Sequence, residues 1–394
     1  MISILFVDDE VNILEGIRNS LRKRVSEWNL AFAQSGAEAL EILAKSKFDI
    51  IVSDMRMPGM DGAALLNVIQ TKYPHMTRFI LTGQADRESI LRAIPVTHQF
   101  IYKPCSPSDL LALLDRTCAL HDRIQNNDLR RLVGSARSVP TAPKTAMRIA
   151  EILAGGQPSP KEVASVIERD AGLSARILQV SNSAVMGRVR QVTTITDAIT
   201  CVGFESAHAL ALANDVFKIT PENRHLKQII ELTYERAFKA ATLATQFLSG
   251  NSESGVAMTV ALLRDIGLIV SAGSVPQIFK VAMDPASTSV ELLDIEIRKL
   301  GMTHAEIGGH LLALWGIPMT VVEGVTCHHT VEDSTIDPFV MAAVHLADVL
   351  TDFPGQARED LKAKLNWEYI RLHQIETDIE EWLDVGIKEM REVA

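Results

Sequence analysis

Reactive side chains stand at the ends of short apolar runs in the first third of the chain. Asp54 ends one run, Asp8 and Asp9 follow another, and Thr82 and Lys103 end two more. Clustered carboxylates repel one another unless a cation intervenes, and an all-oxygen site of this kind suits Mg²⁺. The set predicts a phosphoryl-transfer site with Asp54 as the nucleophile. Asp8 and Asp9 would hold the metal. Thr82 and Lys103 would meet the phosphoryl oxygens.

The elements that must position these side chains are strands of one sheet. The apolar runs Ile2–Val7, Phe48–Val52, Phe79–Leu81 and Phe100–Tyr102 are too short for helices. Helical stretches separate them, and this β-then-α alternation predicts a doubly wound α/β domain with a parallel sheet. Ligands bind outside the carboxyl ends of the strands in such sheets, so the reactive side chains should meet at one edge.

Helix signals lie between and after these runs. Ser35 and Glu38 form a capping box that opens a helix through Ser46. A second helix is expected over Asp86–Ala93. The last helix of the domain starts after Pro107 and continues toward or past Ile124, either as a dimeric coiled coil, and so a homodimer, or as a linking helix.

The pattern resembles the receiver domain of two-component response regulators over roughly residues 1–122. The matching motifs are Val7–Glu10, Ser53–Gly62, Leu81–Gly83 and Tyr102–Pro104, in family order. The resemblance implies a flavodoxin-like fold with a five-stranded parallel sheet. It also implies that Asp54 accepts phosphate from a sensor histidine kinase and is itself a metal ligand. The backbone carbonyl of Arg56 would complete the Mg²⁺ shell, Phe100 would be the switch aromatic, and the Lys103–Pro104 peptide would be cis.

Composition narrows the class of protein. The chain has 394 residues, enough for two or three domains, and a formal net charge of −10. No run of Lys and Arg offers a phosphate-tracking surface, so nucleic acid is not an expected partner. The four cysteines have neither disulfide nor zinc spacing and indicate reduced thiols. We expect no membrane-spanning run and no signal peptide, and therefore a cytoplasmic protein without a membrane partner.

The chain changes character from about residue 129, where strand-like runs nearly vanish and helical periodicity takes over. Ser159–Glu162 opens a helix expected to end near Gly172, and Thr288–Glu291 opens another that Gly301 closes. We predict a receiver-like domain over 1–122, a linker helix over 123–138 and an all-α domain over 139–394.

This second part resembles an HDOD domain, a degenerate relative of the HD and HD-GYP hydrolases. The opening motifs are Val139–Pro143, Val166–Leu173, Ile177–Ala184 and Ile195–Phe204. The later motifs are Leu262–Gly267, His304–Pro318, Cys327–His329 and His345–Asp348. The resemblance implies an all-α HD-like fold that follows the receiver as its output domain.

Chemistry distinguishes the active from the inactive version of that fold. An HD hydrolase needs a metal held by His and Asp side chains from several helices. Arg264 replaces the His of the family's His-Asp doublet, and a guanidinium has no lone pair to donate. Glu235 takes the place of an earlier His, whereas Asp265 and Asp348 are retained. We therefore expect no metal and no catalysis in this domain, with Arg264 neutralising Glu235, Asp265 or Asp348.

The remaining histidines do not restore a catalytic shell in this interpretation. His304 and His310 fall on different faces of a helix, and His345 with Asp348 is only one pair. His328 and His329 are more simply explained as partly buried or surface residues than as ligands.

These features predict a phosphorylation-controlled signalling protein. Phosphorylation of Asp54 would move the surface of the fourth helix, fifth strand and fifth helix of the receiver. The helical domain would then bind a downstream signalling protein, such as an enzyme of cyclic di-GMP metabolism. Two alternatives remain: a phosphodiesterase or phosphohydrolase of the HD class, and a nucleotide sensor without turnover. A DNA-binding output is disfavoured by the acidic charge balance.

Overall fold

A computed structural model places the chain in two compact units. The first contains the sheet and its helices as far as Arg123, and the second contains the helices from Pro143 onward. The structure describes residues 1–24, 26–83, 93, 96–103, 105–123, 143–154, 158–182, 191–204, 207–208, 210–211, 224–284 and 289–392.

The first unit alternates strands and helices. Its described elements are β1 (Ile2–Val7), α1 (Val11–Ser20), β2 (Trp28–Ala33), α2 (Gly36–Lys45), β3 (Ile50–Asp54), α3 (Gly62–Lys72), β4 (Thr77–Thr82), β5 (Gln99–Tyr102) and α4 (Pro107–Arg123). All strand pairs are parallel, in the order β2-β1-β3-β4-β5. This order confirms the predicted α/β class with a five-stranded parallel sheet.

The sheet forms where the sequence places its apolar, β-branched runs. Every residue of β3 and β4 is buried, as expected for central strands covered on both faces. Helix α2 begins where Ser35 accepts a hydrogen bond from the Glu38 N–H, as the capping box predicts. Strand β2 was not located from the sequence, because a strand buried only at its two ends, with exposed or partly exposed middle positions, gives a weak pattern.

Every regular element described in the second unit is helical. These helices are α5 (Pro143–Ala154), α6 (Pro160–Ile167), α7 (Ala171–Ser181), α8 (Ile195–Val202), α9 (Arg224–Phe247), α10 (Ser254–Leu263), α11 (Ile266–Ser274), α12 (Pro276–Met283), α13 (Ser289–Leu300), α14 (His304–Leu314), α15 (Met319–Thr326), α16 (Pro338–Asp352), α17 (Arg358–Lys362), α18 (Trp367–Leu372) and α19 (Glu376–Glu392). The long helix α9 packs on α10 and α16 at the centre. The predicted all-α class is confirmed.

One predicted helix boundary in this unit is wrong. The helix that opens at Ser159 ends at Ile167, not near Gly172. Asp170 then accepts a hydrogen bond from the Leu173 N–H and begins α7, so Gly172 lies inside a new helix. The helix closed by Gly301 is confirmed, with that glycine at φ +75°.

An apolar stretch in the second unit contradicts the expectation that no run reaches membrane-spanning length. Ser254–Ala272 is long and apolar enough to cross a bilayer, but 83% of it is buried inside the protein. A buried core helix of a globular unit meets the same criterion. Three predictions lie outside the described residues: the helix over Asp86–Ala93 apart from Ala93, the cis Lys103–Pro104 peptide, and the linker helix over 123–138 apart from Arg123.

Candidate functional site

The predicted acidic edge forms at the carboxyl ends of β1 and β3, which are neighbours in the sheet. The Lys103 Nζ lies 2.6 Å from Asp8 Oδ2 and 2.5 Å from Asp54 Oδ1, so one ammonium bridges two carboxylates. The second oxygen of Asp54 accepts a hydrogen bond of 2.7 Å from the Arg56 N–H. Asp8 and Asp54 are buried, whereas Asp9 is exposed.

Burial sets the electrostatics of this edge. Burial raises the pKa of Asp54, the charge of Lys103 opposes that shift, and the charge of Asp8 adds to it. Burial alone would lower the pKa of Lys103, but its two carboxylate partners outweigh burial and raise it. Asp8, Asp54 and the neighbouring Asp9 outnumber the one ammonium of Lys103, and this excess of negative charge at an oxygen-rich edge suits a divalent cation such as Mg²⁺.

The two residues predicted to respond to phosphate lie on neighbouring strands. Thr82 ends β4, is fully buried, and its hydroxyl donates to the Gly83 carbonyl at 3.4 Å. Phe100 on β5 is 2% exposed and is paired in register with Ile80. The Lys103 N–H donates to the Thr82 carbonyl, so the ends of β4 and β5 are joined beside the acids. Thr82 and Lys103 therefore lie at the same edge as Asp54.

The second unit is built around a fully buried arginine. Arg264 lies between α10 and α11, and its Nε donates to Asp348 Oδ1 on α16 at 2.7 Å. Its Nη2 lies 3.2 Å from Asp265 Oδ2 and 3.1 Å from the Thr351 hydroxyl, and its Nη1 donates to the Ala261 carbonyl at 2.9 Å. Arg264 thus joins the two retained acids of the HD pattern.

The charges in this network stabilise one another. Burial alone would lower the pKa of Arg264, but Asp265 and Asp348 raise it above its ordinary value. Burial alone would raise the pKa of Asp265, but Arg264 and His304 hold it far below. Asp352 at the edge of the network differs, because burial and the charges of Asp348 and Asp265 raise its pKa to about 7.

Glu235 does not lie in this network. Its side chain is 64% exposed on α9 and forms an i,i+4 ion pair with Lys239 at 2.8 Å. The expectation that Glu235 replaces a metal ligand beside Arg264 is therefore wrong. On α9 it is Thr233 and Arg236 that line the cavity beside Asp265, His304 and His329. A shift of one or two residues along a helix separates an inward from an outward position, and alignment of degenerate motifs does not resolve such a difference.

Three histidines of the HD-like motifs converge next to Arg264, although the sequence interpretation gave them no role as ligands. His304 begins α14, where Thr303 and Glu306 form a capping box, and His328 and His329 follow the end of α15. The ligand nitrogens of the three rings all lie within 4.8 Å of one another. His304 and His328 are buried, so the preference for partly buried or surface residues is wrong for His328. No spacing signal connects His304 to the His328–His329 pair.

Neighbouring groups control the protonation of these rings. Burial alone would lower the pKa of His304, but Glu296 and Asp265 raise it well above its ordinary value. Burial lowers the pKa of His328, and burial together with the charges of the other two rings lowers that of His329. His310 lies further along α14, and its Nδ1 contacts the Glu306 carbonyl, in accord with the prediction that His304 and His310 do not share one ion.

The parallel sheet and its acidic edge place the first unit in the receiver class of α/β domains. Comparison with known families is consistent with this class. The response regulator receiver domain matches residues 4–115, and the HDOD domain matches residues 139–331. The chain is therefore a response regulator receiver domain fused to an HDOD domain.

Individual relatives match parts of the chain. The response regulator protein FleR of Pseudomonas aeruginosa is 30% identical over 145 residues, which is 37% of this chain and 28% of FleR. The chain spans between a fifth and a third of the length of the curated relatives it matches.

Solved structures are similar to parts of the chain. The signal receiver domain of an HD domain-containing protein from Pseudomonas fluorescens Pf-5 is 33% identical and covers 29% of this chain and 92% of its own, with a TM-score of 0.28. A virulence factor from Campylobacter jejuni subsp. jejuni is 20% identical and covers 66% of this chain and 96% of its own, with a TM-score of 0.53. At that identity the second likeness concerns the fold alone.

Proposed function

We propose that this response regulator is controlled by phosphorylation of Asp54 and that its HDOD domain acts by binding another protein rather than by hydrolysis. The observation that carries the first half is the Lys103 bridge to Asp8 and Asp54 at a buried sheet edge. The observation that carries the second half is the buried Arg264 between Asp265 and Asp348. A sensor histidine kinase is the partner that the receiver domain implies.

The phosphoryl step uses one oxygen of Asp54. A carboxylate oxygen attacks the phosphorus of the phosphohistidine, a P–O bond forms, and the P–N bond breaks as its electron pair returns to the imidazole. Mg²⁺, when bound by the acids, neutralises charge on the transferring phosphoryl group. Lys103 then exchanges a carboxylate oxygen for a phosphoryl oxygen.

The switch follows from the hydroxyl of Thr82. In this structure it donates only weakly to the Gly83 carbonyl, and a phosphoryl oxygen on Asp54 is a stronger acceptor. Movement of Thr82 opens space near the β4–β5 edge, and Phe100 moves with it. The helix that begins at Pro107 follows β5 and transmits the movement of Phe100 toward the output domain. We place this protein in the cytoplasm.

The output domain lacks the means to hold a hydrolytic metal between Asp265 and Asp348. Arg264 engages one oxygen of each carboxylate and supplies positive charge at the point between them where a hydrolytic metal would lie. The adjoining cavity of about 30 Å³ has room for a water or an ion but not for a nucleotide. We therefore propose contact with a downstream signalling protein, such as an enzyme of cyclic di-GMP metabolism, as the output.

Phosphorylation can be tested with the full chain and a small phosphodonor. We expect acetyl phosphate with Mg²⁺ to label the wild type, and Asp54→Asn to abolish labelling, because the amide is not a nucleophile. The control is Asp109→Asn, an exposed acid on α4 that is not among the predicted site residues. Phosphate-affinity electrophoresis gives the readout. Equal labelling of wild type and Asp54→Asn would contradict the proposal.

The output is tested by phosphorylation-dependent capture. Wild type and Asp54→Asn serve as baits with and without beryllofluoride, and partners are identified by mass spectrometry. A partner that changes its recovery only with the wild type supports the proposal. Hydrolysis of cyclic di-GMP by the purified protein would refute the non-catalytic part of it.

A further inference from the structure

The three histidines beside Arg264 are arranged as ligands of one metal ion. His329 Nε2 lies 3.2 Å from His304 Nε2, and Asp265 Oδ1 lies 3.5 Å from His304 Nε2 and 4.0 Å from His328 Nε2. Ligand atoms around a tetrahedral zinc-type ion are about 3.4 Å apart, since each bond is about 2.0–2.1 Å long. Each of these three separations lies within about 0.6 Å of that spacing, and the histidine nitrogens all lie within 4.8 Å of one another, so side-chain adjustment alone can bring the four atoms around one ion.

Outer hydrogen bonds already orient two of the rings. The Val325 carbonyl can only accept, so His328 Nδ1 carries the proton in that 2.7 Å bond and Nε2 keeps its lone pair. That Nε2 is buried and has no hydrogen-bond partner among the described residues. A buried imidazole nitrogen aimed at other ligand atoms and left unsatisfied indicates a missing partner.

Glu296 orients the second ring. This fully buried carboxylate contacts His304 Nδ1 at 2.8 Å and accepts the His304 N–H at 2.8 Å, which directs Nε2 toward His329. A carboxylate or carbonyl bonded to the non-ligating nitrogen is the usual outer support of metal-bound histidine. Glu296 does the same for His304 as the Val325 carbonyl does for His328.

Charge in the cluster favours a divalent ion. Asp265, Glu296 and Asp348 contribute three carboxylates, and Arg264 is the guanidinium that pairs with two of them. With His304 neutral as a ligand, its proton displaced by the metal, the two remaining negative charges match one divalent cation. Arg264 contacts Asp265 through Oδ2, which leaves Oδ1 for the metal.

We propose that His304, His328, His329 and Asp265 bind a single zinc-class divalent ion in this HDOD domain. Three nitrogens and one oxygen suit Zn²⁺ or Co²⁺ and not Mg²⁺. Four protein ligands close the coordination shell, so the ion stabilises the domain and activates no water. The site departs from the metal-free domain expected from the sequence, and it does not depend on phosphorylation of Asp54.

The test measures binding to the full chain. The protein is stripped with chelator and titrated with Zn²⁺ or Co²⁺ in excess Mg²⁺, which fills the receiver site. We expect one ion per chain and the visible absorption of four-coordinate Co²⁺. His329→Gln should weaken binding at least about tenfold, and Glu296→Gln about 10- to 100-fold. His310→Gln, a change of buried histidine outside the cluster, should leave affinity unchanged.

Two results would overturn the site. One is a wild-type chain that retains no Zn²⁺ under these conditions, and the other is a His329→Gln variant with wild-type affinity. The His329 side chain is 16% exposed, so its variant tolerates the change better than one at the fully buried His328. Circular dichroism of each variant separates lost ligands from lost folding. Capture of a partner that depends on Asp54 phosphorylation is a separate measurement. Failure of the metal site and failure of the proposed function can therefore be distinguished.

Discussion

Single residues decide what each unit of this regulator does. In the receiver domain the ammonium of Lys103 holds two acids together before any phosphoryl group arrives. In the HDOD domain the guanidinium of Arg264 performs the corresponding task for Asp265 and Asp348. Both cations compensate carboxylates that burial would otherwise penalise. The two cations differ in mobility, because Lys103 has a flexible aliphatic chain whereas the guanidinium of Arg264 is held by four hydrogen-bond or ion-pair partners.

Removal of Arg264 should therefore destabilise the HDOD domain severely. We expect Arg264→Ala to lower the free energy of unfolding by about 3–5 kcal/mol, because two buried carboxylates lose their shared partner. Denaturant titration followed by circular dichroism measures the change. Arg298→Ala, at an exposed position on α13, is the control and should change it little. A loss below about 1 kcal/mol at Arg264 would show that the acids find other compensation.

At the scale of elements, close approaches between backbones position the reactive side chains. A Cβ on Gly62, the first residue of α3, would lie 2.2 Å from the Asp54 carbonyl oxygen. A Cβ on Gly267 of α11 would lie 2.0 Å from the carbonyl oxygen of His304. Both glycines allow a helix to contact the segment that carries a key residue. Glycine, which has no Cβ, thus permits a close backbone contact both at the acidic edge of the sheet and at the histidine cluster.

We expect Gly62→Ala to destabilise the receiver domain by about 1–3 kcal/mol, as overpacking at a site of backbone contact does. It should also slow labelling of Asp54 by acetyl phosphate, because α3 would displace the end of β3. Gly16→Ala is the matched control, since that exposed position on α1 has nothing within 4 Å. The control should gain about 0.5–1 kcal/mol of stability. Normal labelling in Gly62→Ala would contradict the positional role of this glycine.

At the scale of the whole molecule, two units with separate cores perform separate chemistry. The sheet core of the first unit includes Ile4, Phe6, Val52 and Phe79, all fully buried. The second unit buries its own helices around α9, α10 and α16. Each unit has its own buried core, as separately folding domains do, and each candidate site lies within a single unit.

Calorimetry of the full chain should therefore show two unfolding transitions. Mg²⁺ should raise only the transition of the receiver domain and Zn²⁺ only that of the HDOD domain, because a ligand stabilises the unit that binds it. Arg264→Ala should lower only the second transition. A single transition that responds equally to both ions would mean that the two units unfold together.

Much of the receiver site follows from local sequence. Asp8, Asp54, Thr82 and Lys103 each end or follow an apolar run, and parallel strands bring their carboxyl ends to one edge whatever the details of packing. The capping boxes at Ser35 and Ser159 likewise depend on neighbours within a few residues. The boundary near Gly172 was misjudged because Asp170 starts a new helix, and a continuing apolar pattern conceals such a break.

The amino-acid sequence by itself determined the class of each unit, and it singled out Asp54 as the candidate phosphoacceptor and Arg264 as the residue in place of a family metal ligand. Only the tertiary structure decided that Glu235 faces outward and that His304, His328 and His329 meet at Asp265. The physical reason is the kind of secondary structure that carries these side chains. The receiver acids stand on strands of one sheet, with a fixed spacing, whereas the histidine cluster depends on the rotation and depth of separate helices, which side-chain packing sets.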